Sequence, residues 1–429
     1  MTKPGDTVLI LAGKGHNGDD ARLAGEQISG RAIRVLQVND PVSATKEISQ
    51  MLLSQIGLII DGLFGIGLNR PLNADWVELI RQINESRVAI LAVDVPSGLN
   101  ADTGKTMPEA IRAMQTTTLG APKRGLVAAN AWEFVGRLEV APDIGLISCP
   151  ISGELNWTLA QDFSHFPPPR AVAGHKGAFG HLSIVAGSLG YHGAAVLAAR
   201  AAQRAQPGLI TLCTSPAVYQ PVAAQLQAPM VRPWTEDLEL PENTTAILIG
   251  PGLAARDLPE FIRVFTRRIW QESPLPVIVD ASALEWLPPG SVRGGGLRVM
   301  TPHPGEAARL LQSTSAKVQQ DRASALRELS RRFGGCTVVL KGHQTLVGGS
   351  DGRVLINSSG NPHLAQGGSG DLLAGYLAGF LAQPLLQRDA FSAIRYAVWQ
   401  HGVSADQLQS QRVNWTIEDL AVKLGCIPI

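Results

Sequence analysis

Cysteine, aromatic residues and unbalanced charge are all scarce in this 429-residue chain. Its four cysteines, Cys149, Cys213, Cys336 and Cys426, lie far apart and none forms a C-x-x-C pair. That excludes a disulfide frame and a cysteine-built zinc site, leaving reduced singletons. Aromatics make up 5% of residues, and Lys+Arg 37 against Asp+Glu 36 gives a net charge of +1. Nothing in a balance so close to neutral suggests a nucleic-acid surface or a polybasic membrane anchor. The opening Met-Thr-Lys-Pro-Gly-Asp holds no apolar signal core, and no apolar run reaches membrane-spanning length. A cytoplasmic protein with neither nucleic-acid nor membrane partner is expected.

Glycine (45) and proline (28) are plentiful beside 45% hydrophobic residues, a mix suited to α/β proteins with many tight strand-to-helix turns. The length corresponds to about two to three domains.

The most informative stretch lies near the far end, from Asn357 to Phe380. It is glycine and small polar residues as far as Gly370, then Asp371-Leu-Leu-Ala-Gly-Tyr-Leu-Ala-Gly-Phe380. This pattern predicts a loop feeding a buried helix. Backbone N–H groups of Gly367 to Gly370 can converge on one point, where the helix dipole adds positive potential, so a phosphate is the natural occupant. Asp371 then sits in the first turn beside the anion, where a carboxylate can hold or deprotonate a substrate hydroxyl. The alternative is a glycine-rich turn with Asp371 as an ordinary N-cap.

In the first half, Val8-Leu-Ile-Leu-Ala12 suits a strand buried on both faces. It runs into Gly13-Lys-Gly-His-Asn-Gly-Asp-Asp20, with helical character from Ala21 to Ile28. Strand, glycine loop and helix in that order can present amides to a dinucleotide phosphate. Two further apolar runs end in aspartate, at Asp61-Gly-Leu-Phe-Gly-Ile-Gly67 and Asp94-Val-Pro-Ser97-Gly. Ligands of open α/β sheets bind outside the carboxyl ends of strands, so Asn17, Asp61, Asp94 and Ser97 are expected to converge there. Their oxygens suit a hard cation, with too few carboxylates to require a divalent one. The competing reading makes Asp61 and Asp94 caps of the following turns.

These motifs resemble the YjeF-type NAD(P)HX epimerases, matching at His16-Asn17-Gly18-Asp19-Asp20, Asp61-Gly-Leu-Phe-Gly-Ile-Gly67 and Val93-Asp94-Val-Pro-Ser97-Gly. The resemblance implies a potassium ion held by Asn17, Asp61 and Ser97. It implies substrate contacts at His16, Asn17, Gly18, Asp19 and Asp20, at Gly65, Ile66, Gly67, Leu68, Asn69, Arg70 and Pro71, and at Asp94; we take Asp94 as the candidate proton-handling residue. Family members carry helices ahead of the first strand, which here begins within ten residues of the first residue. Part of the site wall or dimer interface is therefore expected to be missing, or the start to lie upstream. Asp19 replaces a glycine and adds negative charge where backbone would approach phosphate. Residues 117–146 fit the family's last strands, with Lys123 either reaching the ligand or standing exposed after a proline turn.

From Ser148 to Gly174 periodicity fades, and Phe166-Pro-Pro-Pro-Arg170 reads as a stiffened connection, placing a domain boundary near residue 160. Beyond it, strand, loop and helix recur, predicting a second mostly parallel sheet covered on both faces. The distinctive residues again follow the strands: His175-Lys-Gly, Ile249-Gly-Pro-Gly252, Asp280-Ala-Ser-Ala-Leu284, Thr301-Pro-His303-Pro-Gly-Glu306, Leu340-Lys341-Gly-His-Gln-Thr345 and Gly367-Gly-Ser-Gly-Asp371.

In this order they are similar to the ADP-dependent NAD(P)HX dehydratases, which have a ribokinase-like fold, over roughly residues 170–425. The expected class is thus α/β with two domains: residues 1–160 Rossmann-like, of the YjeF N-terminal type, and residues 161–429 ribokinase-like. The whole chain resembles the bifunctional NAD(P)H-hydrate repair enzymes. That resemblance implies ADP as co-substrate at Lys341, Gly342, His343, Gln344, Thr345 and Gly370, and the hydrated nicotinamide nucleotide at Ala194, Gly252, His303 and Asp371, with Asp371 catalytic. It implies NADHX and NADPHX as substrates; Mg2+ is expected in this domain as in phosphoryl transfer generally, and a homo-oligomer is the expected assembly. A ribokinase-like kinase acting on a small alcohol is the rival reading, and a non-catalytic nucleotide-binding role is the rival for the first domain.

Overall fold

Unbroken apolar runs become the central strands of two separate sheets in the structure, a computed structural model that describes residues 2–145 and 153–426. Cys149 and Ser148 lie outside the described residues. The chain divides into two compact units, residues 1–151 and 152–429.

The first unit is built on β1 (Thr7–Ala12), β2 (Ala32–Gln37), β3 (Ile56–Gly62), β4 (Ile90–Val93), β5 (Gln115–Leu119) and β6 (Arg137–Ala141). They form a six-stranded sheet in the order β2-β1-β3-β4-β5-β6, parallel at every pairing. Leu9, Ile10, Leu11, Ile59 and Ile60 are buried, because helices cover both faces of a parallel sheet. The chain steps from β1 to β2 on one side and to β3 on the other. A crevice opens at such a switch point, beyond the carboxyl ends of the strands. Leu11 pairs with Asp61 and Ala12 with Gly62, and the Gly13 amide donates to the Gly62 carbonyl (3.0 Å). The following helix, His16–Glu26, therefore starts directly beside the end of β3. It begins earlier than the expected Ala21, with extended Gly15 at the N-cap, so residues 16–20 form its first turns and not a loop.

The second unit contributes β7 (Leu155–Trp157), β8 (His181–Val185), β9 (Leu209–Thr214), β10 (Met230–Pro233), β11 (Ala246–Ile249), β12 (Val277–Val279), β13 (Arg298–Met300), β14 (Thr337–Leu340), β15 (Leu346–Gly348) and β16 (Val354–Ile356). Their order is β10-β9-β8-β11-β12-β13-β14-β15-β16-β7. Only β15 runs against the rest. The switch point lies between β8 and β11.

Part of the expected connector belongs to this unit. β7 pairs in parallel with β16, and buried Phe163 packs its ring against Tyr396 (5.4 Å between centroids) and Trp399 (5.5 Å). A three-residue strand and a single aromatic leave no periodic signal in sequence.

One helix pair sets the second unit's geometry. Helix Ser369–Leu381 packs along helix His192–Arg204, with Gly375 against the Ala198 backbone and Gly379 against the Ala202 backbone. A Cβ at Gly375 would overlap the Ala198 carbonyl oxygen. Small residues four apart on both helices let the backbones approach closely, fixing where the N-terminus of helix Ser369–Leu381 points. No helix among the described residues is long and apolar enough to cross a membrane.

Candidate functional site

The crevice of the first unit gathers the predicted oxygen ligands. Asp61, at the end of β3, is fully buried. Its Oδ1 accepts from Ser97 Oγ (2.6 Å) and the Leu63 amide (3.2 Å), and its Oδ2 from the Ser97 amide (2.8 Å). Burial pushes its pKa up to about 6 against the pull of those hydrogen bonds. The Ser97 hydroxyl also accepts from the Phe64 amide (2.8 Å). Asn17 Nδ2 donates to the Phe64 carbonyl (2.8 Å), whereas its Oδ1 is buried with no hydrogen-bond partner. A buried amide oxygen without a donor is costly unless something positive completes it.

Asp94 lies just past β4 in a left-handed conformation (φ 64°). Its Oδ1 accepts from the Leu119 amide (3.0 Å), Thr118 Oγ1 (3.2 Å) and Lys123 Nζ. All of these donors converge on one carboxylate oxygen, which leaves Oδ2 as the oxygen able to meet a ligand. Lys123 is therefore paired, not the exposed lysine that a proline turn suggests. It also donates to Thr118 Oγ1 (3.1 Å) and the Leu119 carbonyl (2.9 Å).

The other predicted residues form the rim. His16 and Asp19 are exposed, Asp20 is half-buried, and Asn17 and Gly18 are buried. The Asp19 charge is answered one turn on by Arg22, so it is not a bare negative charge over the crevice. Gly65 lies against the Asn17 side chain. Ile66, Gly67, Asn69, Arg70 and Pro71 are exposed, with Leu68 half-buried between them.

In the second unit the matched loops follow β8, β11, β12, β13 and β14, so they stand side by side in sheet order. Ala194, in the first turn of helix His192–Arg204, lies next to Gly252, whose φ of 67° and contact with the Tyr191 carbonyl leave no room for a side chain. Ser188 pins the two loops together, donating to the Gly252 carbonyl (2.6 Å) and accepting from the Ala254 (3.2 Å) and Ala255 (3.0 Å) amides.

At the centre, Lys341 Nζ lies 2.8 Å from Asp280 Oδ1 and 4.0 Å from Glu306 Oε2. The same amine sits against Gly370, 3.3 Å from where a Cβ would be. Thr301 Oγ1 donates to Asp280 Oδ1 (2.6 Å). Burial disfavours the ammonium, but Asp280, Glu306 and Asp371 outweigh it and raise the Lys341 pKa. Asp371 is pushed up to about 7 by burial and by the Asp280 and Glu306 charges, with Lys341 opposing. Such a group is half-ionised near neutral pH, the condition for moving a proton in either direction.

Helix Ser369–Leu381 begins with left-handed Gly368 (φ 96°) at its N-cap. The Ser369 amide is committed to the Gln366 carbonyl (3.3 Å), whereas the amides of Gly367, Gly368, Gly370 and Asp371 find no acceptor among the described residues. Those four are therefore the amides of this turn left to meet a ligand. Fully buried His401, held neutral by burial to a pKa of about 4, donates through Nε2 to the Ser369 carbonyl (3.1 Å) and steadies this turn.

His303 is the N-cap of helix Pro304–Leu311. Its Nδ1 accepts from the Gly305 (3.0 Å) and Glu306 (3.4 Å) amides, and its own amide donates to Glu306 Oε2 (2.8 Å). A ring nitrogen that accepts carries no proton, so the proton resides on Nε2. Burial holds the His303 pKa below the usual histidine range although Glu306 opposes it. Gly342, His343, Gln344 and Thr345 follow β14 in a loop whose Gln344 has φ 52°. Asp280 and Glu306 stand within sequence motifs, but their place around Lys341 depends on contacts far apart in the chain, as does that of His401.

Two strand-end crevices, one built around buried oxygens and one around a carboxylate at a helix N-terminus, define a two-domain α/β nucleotide-handling enzyme. Residues 182–427 match the family described as NAD(P)H-hydrate dehydratase, and residues 33–125 match that described as YjeF-related protein N-terminus. A bifunctional NAD(P)H-hydrate repair enzyme of Coxiella burnetii is 33% identical, over 93% of this chain and 85% of the relative. One from Vibrio cholerae is 38% identical, over 81% of this chain and 70% of the relative. Among solved structures, an ADP/ATP-dependent NAD(P)H-hydrate dehydratase from Bacillus subtilis, co-crystallised with ATP/Mg2+, superposes with a TM-score of 0.57 at 29% identity. That likeness covers 64% of this chain and 97% of the other. The chain belongs to the bifunctional NAD(P)H-hydrate repair enzymes.

Proposed function

We propose that the second unit, from about residue 152 onward, dehydrates the S epimer of hydrated NADH or NADPH with ADP as co-substrate, and that the first unit interconverts the R and S epimers. One observation supports the dehydratase reading above the others. Asp371, with a pKa of about 7, lies at a helix N-terminus whose amides await an anion, beside Lys341.

Hydroxide is a poor leaving group at neutral pH. As carboxylate, Asp371 takes the proton of the ring hydroxyl while that oxygen attacks the β-phosphorus of ADP, and AMP departs. The amides of Gly367, Gly368 and Gly370 and the Lys341 ammonium stabilise charge on the transferring phosphoryl. The C–O bond then breaks, phosphate leaves with its electron pair, the neighbouring ring carbon loses a proton, and the ring double bond returns. ADP would lie along Lys341, Gly342, His343, Gln344, Thr345 and Gly370, with the hydrated nucleotide against Ala194, Gly252 and His303. Mg2+ on the phosphate oxygens would neutralise their charge, a role needing few protein ligands; no group of three His, Cys, Asp or Glu side chains poised to hold a metal occurs among the described residues.

In the first unit, Asn17, Asp61 and Ser97 would hold K+. The donorless Asn17 Oδ1 and the buried Asp61 carboxylate fit a monovalent hard cation. Asp94 Oδ2 is the proton-handling atom of this reading, with His16 to Asp20 and Gly65 to Pro71 around the nucleotide. Incubating the protein with hydrated NADH and ADP tests the proposal. Recovery of reduced-nicotinamide absorbance with matching AMP and phosphate is expected. ADP consumed on an alcohol without that recovery would overturn it.

A further inference from the structure

Arg322 opens helix Arg322–Arg332 and is buried beneath the loop that follows β14. Its Nη1 donates to the carbonyls of His343 and Gln344 (the latter at 3.2 Å). Its Nη2 donates to those of Leu340 (3.0 Å) and Lys341 (3.3 Å). One guanidinium thus collects carbonyls from both ends of a single tight loop.

In a trans peptide the C=O of one residue and the N–H of the next point in opposite directions. Drawing in the Leu340 carbonyl sends the Lys341 amide the other way, and it is found donating to the Pro302 carbonyl (2.9 Å). Drawing in the carbonyls of Lys341, His343 and Gln344 likewise turns the amides of Gly342, Gln344 and Thr345 away from Arg322. Those three amides meet no protein acceptor among the described residues. Left-handed Gln344 and Gly342 at φ 129° are what allow the planes to take these directions.

We propose that Arg322 is a positioning residue that preforms an amide nest at Gly342, Gln344 and Thr345 for the diphosphate of a nucleoside diphosphate. Successive outward N–H groups make an anion-binding concavity, and the guanidinium charge behind it adds attraction. Lysine cannot replace this fork, because an ammonium is a point donor without its planar geometry. The inference rests on the reading that this loop receives ADP.

Arg322→Lys tests it without removing charge. The expected result is a KM for ADP raised at least about tenfold, the scale of one misplaced charge-assisted hydrogen bond, with the KM for hydrated NADH within about twofold. An ADP KM that stays within about twofold in the folded variant would overturn the proposal. Should the variant fail to fold, amide exchange of the wild-type protein decides. ADP is expected to slow exchange at Gly342, Gln344 and Thr345, and binding without that protection contradicts the nest. Exchange mapping of the whole ADP-bound protein separates the two claims: protection confined to residues outside 341–345 removes the loop itself as nucleotide site, whereas protection of the loop with an ADP KM unchanged in Arg322→Lys removes only the role of Arg322.

Discussion

Lys341 Nζ and Asp280 Oδ1 lie 2.8 Å apart, and the negative charge of Asp280 is the largest influence after burial in raising the Asp371 pKa. One carboxylate therefore both anchors the Lys341 ammonium and raises the pKa of Asp371.

Asp280→Asn should move the acid limb of the dehydration profile to lower pH, because removing a neighbouring negative charge lets Asp371 ionise sooner. A shift on the order of one pH unit is expected, with kcat reduced about tenfold as Lys341 loses its anchor. A pH–rate profile of the purified variant reads both.

The pKa of Asp371, about 7 against an ordinary 3.8, also carries a stability consequence. A carboxyl whose folded pKa is raised binds its proton more tightly in the native state, so its ionisation destabilises the fold as pH climbs from about 4 to about 7. Asp371→Asn should therefore raise Tm at pH 8, by an amount corresponding to about 1 kcal/mol or more after solvent screening. The gain should vanish near pH 4. Thermal melts of both proteins across that range make the comparison.

Potassium should stabilise the first unit. A cation completing Asn17 Oδ1 beside buried Asp61 binds only the folded state, so Tm should rise with KCl more than with an equal concentration of LiCl. Asp61→Asn should abolish the difference, as seen by calorimetry at matched ionic strength.

Lys123 spends its hydrogen bonds on Asp94, Thr118 and Leu119. Lys123→Met should accordingly slow R-to-S epimerisation about tenfold or more by freeing Asp94 to turn, while dehydration of pure S substrate proceeds at the wild-type rate. Chromatographic separation of the epimers measures the first, and recovery of reduced-nicotinamide absorbance the second.

Much of this architecture is legible in the sequence. Parallel strands buried on both faces appear as unbroken apolar runs, and the polar residue ending each run, as at Asp61, Asp94 and Asp280, lies where such sheets bind ligands. Less legible is what depends on contact across the chain. Arg322 is one arginine of an arginine-rich helix, and only the folded loop shows its guanidinium gathering four carbonyls. His401 stands mid-helix with no local motif, yet it steadies the turn that carries Asp371. Lys123 follows a proline turn that suggests exposure, and its partner is 29 residues earlier. Helix starts were also displaced, at His16 and Ser369, because glycines that read as loop enter the first turn.

The proposed dehydration depends on the Asp371 carboxylate taking the proton from the hydroxyl that ADP phosphorylates. The direct measurement is a single-turnover assay of Asp371→Asn with the S epimer of hydrated NADH and saturating ADP, alongside ADP affinity by calorimetry. An ADP affinity within about threefold of wild type and dehydration slowed at least about a hundredfold are expected. Dehydration at a rate near wild type would contradict that role of Asp371.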